Sequence, residues 1–146
     1  MIPRFSPTAA AVVSGAAAIL LNTMALRAAD LVPLQTARGG LLRLVRMAVP
    51  LPGTAAFQTI FHLTVGLLMA LCYAHLLEAR LPGSPVIKGT IYALAVWLLN
   101  ALVVLPFTGE GIAGSAHLSL AGIVWFAAAH TLFFVLLAVW YARLRQ

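Results

Sequence analysis

Four stretches of this chain run about as long as a bilayer is thick and carry almost no charge: residues 8–26, 56–77, 86–106 and 117–142. A helix needs about 20 apolar residues to cross the hydrocarbon layer. Inside lipid the backbone can satisfy its hydrogen bonds only as a helix or a closed barrel. Barrel strands alternate apolar and polar residues, and these runs do not. The expectation is an all-α integral membrane four-helix bundle, forming a single membrane domain over 1–146.

Composition closes the other routes. Of the 146 residues 63% are hydrophobic and 8% charged. A soluble domain carries about 25% charged residues, and this chain could not cover a globule with polar surface. Disorder needs the opposite balance. Nine Lys and Arg against three Asp and Glu give a net charge of +6. In a soluble protein that would suggest nucleic acid. Here Arg4, Arg27, Arg80, Lys88, Arg143 and Arg145 stand at the ends of apolar runs, where they meet anionic headgroups. The expected partners are therefore membrane lipids, and no nucleic acid. Cys72 is the one cysteine, so no intrachain disulfide forms.

Helix signals mark the ends. Ser6-Pro7 and Ser84-Pro85 each read as an N-cap with proline at the first helical position. Pro106 and the glycines 109, 111 and 114 end the third run. The first run has the outline of a signal peptide, but it is long for one and Arg27 spoils the small-residue cleavage site. It reads as a retained helix. Between the first and second runs, residues 40–49 are apolar around Arg43 and Arg46, which predicts a short interfacial helix on the membrane surface. The plainer reading is a loop packed over the bundle.

With the N-terminus inside, Arg4, Arg80, Lys88, Arg143 and Arg145 fall on the inner side. Arg27, Arg38, Arg43 and Arg46 fall on the outer side. The loop 107–116 lacks Lys and Arg and carries Glu110. Tyr73, Tyr92, Trp140 and Tyr141 gather at the other end, as an interfacial aromatic belt would. Both termini are therefore expected in the cytoplasm, across a bacterial-type inner membrane. Together with Arg43, Arg46, Arg80, Lys88, Arg143 and Arg145, these aromatics form the expected membrane-interface set. His75 and Glu78, three apart, are expected to pair.

Small residues at spacing four predict close helix contacts: Ala10, Ser14 and Ala18; Gly66, Ala70 and Ala74; Gly89 and Ala93. The aromatic residues of the last run are expected to meet lipid or ordinary packing.

Chemistry has few carriers. Gly109–Gly114 matches G-x-G-x-x-G but follows no strand, so it reads as a loop. No nucleophilic triad, P-loop or carboxylate pair is present, and the acids are Asp30, Glu78 and Glu110 alone. An enzyme is not indicated. His62/His75 and His117/His130 share a thirteen-residue spacing, which suggests haem b. Thirteen residues, however, leave the second histidine about 140° around the helix from the first. The expected depths of His62 and His130 also differ by about 10 Å. Depth counting instead puts Asn22, His62 and Asn100 in one layer. Polar groups within a membrane mark ligand, proton or ion sites, or else tie helices together. The candidate ligand-binding set is Asn22, His62, Asn100 and His130. His62, Glu110 and His117 are metal-capable in type, without a recognised spacing.

His62-Leu63-Thr64-Val65-Gly66, the stretch Lys88-Gly89-Thr90-Ile91-Tyr92 with Trp97, Leu105-Pro106, Gly109 and Gly111, and His130 resemble YagU-like small bacterial inner-membrane proteins. The likeness covers about residues 56–143. It implies the four-helix build and assigns no catalytic residue. Small size, short loops and packing stripes lead to the first functional expectation, an accessory subunit of a respiratory or photosynthetic membrane complex, with other membrane subunits or a second copy as partners. The second is a small-ligand, quinone or ion-binding protein that uses the polar layer. The third is a haem-b redox protein.

Overall fold

A computed structural model describes residues 5–32, 34–37 and 39–146. Arg4 and Arg38, both used in the orientation count, lie outside the described residues. The long helices are α1 (Pro7–Ala28), α3 (Ala55–Cys72), α4 (Pro85–Leu99) and α6 (Leu120–Arg145). Between them lie the short helix α2 (Gly40–Arg46) and the single turn α5 (Leu105–Phe107). The described residues contain no strand. Four helical segments are long and apolar enough to cross a membrane: Pro7–Leu31, Ala55–Leu77, Pro85–Phe107 and Leu120–Arg145.

The expected caps form. Ser6 Oγ accepts from the Ala9 N–H and Ser84 Oγ from the Ile87 N–H, each before a proline. Thr54 and Ser119 cap α3 and α6 in the same way, satisfying N–H groups that a helix start leaves unpaired. Ser119 also moves the start of the last helix past His117. That histidine therefore lies in the loop, outside the helix it was expected to open.

α6 packs against both α1 and α4, and α1 also packs on α3. The small residues make these approaches. A Cβ on Gly15 would collide with Ala70 of α3, and one on Gly66 would meet Ile19 of α1 at 2.5 Å. At Gly89 the α6 backbone itself is in the way, with the Phe134 oxygen and Val135 Cα both at 2.7 Å. Ala10, Ser14, Ala18, Ala70 and Ala93 are buried, as the stripes predict.

At one end α3 and α4 meet. The Tyr92 hydroxyl donates to the Met69 carbonyl at 3.3 Å and lies 3.1 Å from its sulfur. Tyr73 stacks on Tyr92 with centroids 6.1 Å apart, and Tyr141 meets Tyr73 edge-on at 5.7 Å. This corrects the aromatic-belt expectation. Tyr73, Tyr92 and Tyr141 are core residues, because their rings fill the space where α3, α4 and α6 converge. Trp140 packs half-buried against the same core. Around them sit the basic residues of this end. Lys88 pairs with Glu78 at 2.9 Å, Arg80 bonds the Leu76 carbonyl, and Arg145 reaches the Phe5 carbonyl at 2.8 Å. Arg143 is exposed. His75 does not pair with Glu78. The backbone turns π-helical over Tyr73–Leu77, and His75 Nε2 lies 3.2 Å from Thr8 Oγ1 of α1.

At the other end α3 and α4 part. α2 covers this end of α4, with Leu42 buried and Gly40 against Leu105 and Val104. Gly39 starts α2 at φ +71°, a left-handed conformation suited to glycine, in a place where a Cβ would also strike Gln58. The short helix expected over 40–49 thus forms over Gly40–Arg46 and packs onto the bundle. Arg43 pairs with Glu110 at 2.8 Å, and Arg46 bonds the Pro52 carbonyl.

Candidate functional site

Between the parted ends of α3 and α4 lies a cavity of about 420 Å³. α1 and α6 contribute to its walls and α2 closes over it. Its lining is mainly apolar and rich in rings: Phe61, Trp97, Phe126, Phe133 and Phe134. A largely apolar lining with a few placed polar groups is the usual make-up of a small-molecule site, and the volume falls in the usual range of about 300–1,000 Å³.

All four candidate ligand-binding residues face this space. Asn22, His62, Asn100 and His130 line it, from α1, α3, the end of α4 and α6 respectively. Asn22 is 1% exposed, so its amide must be satisfied within the protein. Its Nδ2 donates to the Ala129 carbonyl at 2.8 Å, and its Oδ1 lies 3.1 Å from His62 Nε2. The first bond fixes which way the amide points. The second fixes the imidazole, because an oxygen acceptor requires Nε2 to carry the proton.

His130 is set by a different partner. Its Nδ1 lies 2.8 Å from the Phe126 carbonyl one turn back, so Nδ1 carries the proton. The Phe126 ring packs on the imidazole, with centroids 4.2 Å apart. Nε2 of His130 has no hydrogen-bond partner among the described residues and presents a lone pair. The lining holds no carboxylate to pair with either ring.

Asn100 stands where α4 widens into a π-helical segment, Asn100–Val104. Such single π turns recur at functional sites, because the extra residue redirects side chains. The Asn100 amide forms no hydrogen bond among the described residues. Thr23, Arg27, Gln58 and Thr59 add further polar groups to the lining.

The histidines therefore divide in a way their spacing did not suggest. His62 and His130 share one cavity, while His75 is at the opposite end with Thr8. The expected depth mismatch narrows because α6 begins at Leu120 rather than at His117. The metal-capable trio does not assemble. His117 lines a separate pocket with Asp30, Arg43 and Glu110, away from the cavity that holds His62. Among the described residues no three His, Cys, Asp or Glu side chains gather as a metal site.

Sequence reasoning missed the Ala129 carbonyl and the aromatic wall. A backbone acceptor leaves no mark in composition. The rings of the last run could have signalled a cavity only if the facing of α6 had been known. Compared with protein families, with curated proteins and with solved structures, the chain matches none.

Proposed function

We propose that this chain is a multi-pass protein of a bacterial-type cytoplasmic membrane that holds a small, mainly apolar molecule between α3 and α4. The observation that carries this reading is the cavity of about 420 Å³ with Asn22, His62, Asn100 and His130 in a mainly apolar lining. The membrane setting is supported by the outward faces of the long helices, where Leu20, Met24, Ile60, Leu68, Leu94 and Leu98 stand exposed. In water such rows would drive association; in lipid they are at home.

This ligand reading displaces the accessory-subunit reading as the leading one. The latter rests on size and short loops and uses none of the polar residues. Haem b is disfavoured by the use already made of His62. Its Nε2 is engaged with Asn22, so iron held by both histidines would require that bond to break.

The test is occupancy. Protein purified in mild detergent is extracted with organic solvent, and the extract is compared by mass spectrometry with that from Val65→Trp, whose larger side chain fills the cavity. A molecule stoichiometric with the wild type and lost from the variant supports the reading. Identical extracts, with no molecule enriched in the wild type, overturn it. An absorption band near 410–430 nm, where haem absorbs, would turn the reading toward haem.

A further inference from the structure

The His130 imidazole has a definite sense, which restricts what a ligand can place against it; elsewhere in the lining Arg27, Gln58 and Asn100 can donate to an oxygen. A neutral imidazole has one donor and one acceptor. His62 uses its donor on Asn22, and His130 uses its donor on Phe126. What His130 offers to the cavity is its Nε2 lone pair. His130 is half-buried, and its Nε2 acceptor gains a hydrogen bond from a ligand that supplies a donor. A ligand that brings a carbonyl oxygen to the same place sets acceptor against acceptor. Asn100 adds a second contact from α4, and its unpaired amide can donate to an oxygen or accept from a hydroxyl. The rest of the lining selects for shape. Phe61, Trp97, Phe126, Phe133 and Phe134 surround a space suited to a flat ring, which aromatic side chains meet face-on or edge-on.

We infer that the cavity binds a membrane-soluble aromatic alcohol of the hydroquinone or phenol class, its hydroxyl donating to His130 Nε2, and that it binds the reduced hydroquinone in preference to the corresponding quinone. This rests on the ligand-binding reading and adds the ligand's chemistry to it. His130 acts here as a binding residue. Asn22 and His62 are positioning residues: they join α1, α3 and α6 around the site.

The discriminating pair is durohydroquinone and duroquinone, which share a carbon skeleton and differ by two hydroxyl hydrogens. Each is titrated anaerobically into the full chain in detergent, with binding read from Trp97 fluorescence against a Trp97→Phe control. The hydroquinone is expected to bind up to about tenfold tighter, as one hydrogen bond to the imidazole acceptor allows. In His130→Leu the preference should fall to about one. If His130→Leu does not fold, His130→Gln serves, since its amide presents both donor and acceptor and should likewise erase the preference. Equal binding of the two forms, tighter binding of the quinone, or a preference that survives both variants overturns the inference and leaves the ligand-binding reading standing. If neither compound binds, the hydroquinone class is excluded. The solvent extraction then decides the broader reading: a different molecule in the extract preserves it, and an empty extract ends it.

Discussion

Asn22 Oδ1 accepts a hydrogen bond from His62 Nε2 at 3.1 Å, while the same amide donates to Ala129 on a third helix at 2.8 Å. One side chain, 1% exposed, therefore links α1 to α3 and α6 at the wall of the cavity. Interhelical hydrogen bonds in membrane proteins average about 0.6 kcal/mol and reach about 1.7 kcal/mol. In a double-mutant cycle of Asn22→Leu and His62→Phe, the coupling should fall in that range. Reversible unfolding of the detergent-solubilised protein measures it. Strictly additive losses would show that the two side chains do not interact.

The glycines separate packing from mere flexibility. Gly89 faces the α6 backbone, which cannot turn aside as a side chain can. Gly89→Ala should destabilise by about 1–3 kcal/mol, the usual cost of overpacking. Gly53 has nothing within 4 Å of a Cβ, and Gly53→Ala should change stability by no more than about 0.5 kcal/mol. Thermal unfolding of the two variants side by side checks the contrast. Equal losses would mean that Gly89 serves the backbone rather than the α4–α6 contact.

Arg43 and Glu110 form the link that holds α2 to the loop after α5. The carboxylate side chain is 7% exposed and the guanidinium side chain 54%. Removing the arginine leaves a buried acceptor without its charged partner, a loss of about 1–3 kcal/mol. Water already reaches the arginine side, so Arg43→Ala should fall at the low end of that range. Adding Glu110→Gln should restore part of the loss, because the buried charge is gone. Hydrogen exchange over residues 40–46 is the direct readout. It should accelerate in Arg43→Ala and slow again in the double variant.

Much of this build was legible in the sequence, and the reasons are physical. Run lengths located four helices to within a few residues, because a bilayer-length apolar run has few alternatives. The stripes through Ser14, Gly66 and Gly89 named contact faces, because only small residues permit so close an approach. Regular helical rise predicts that Asn22, His62 and Asn100 come near one another, and all three line the cavity. What counting residues could not show is which way a helix turns about its own axis. Tyr73, Tyr92 and Tyr141 have the right depth for an interfacial belt and yet face inward. His130 lies nearer the start of α6 than a helix opening at His117 would place it, because Ser119 caps the helix and the residues before it form a loop. The π-helical segments at Tyr73–Leu77 and Asn100–Val104 also shift facing in a way periodicity does not register.

The orientation prediction follows from the parity of the spans. Four crossings put both termini on one side, and the loop 107–116, with Glu110 and no Lys or Arg, suits the outside by the positive-inside rule. In a Cys72→Ser background, Gly53→Cys places a thiol in the exposed segment before α3, and Gln146→Cys places one at the opposite end of the bundle. A membrane-impermeant maleimide applied to intact spheroplasts should label the first and spare the second, while both react after lysis. The reverse pattern would invert the orientation and leave four spans in place. Labelling of both before lysis would show that the two sites lie on one side of the membrane, which four crossings of these helices do not permit.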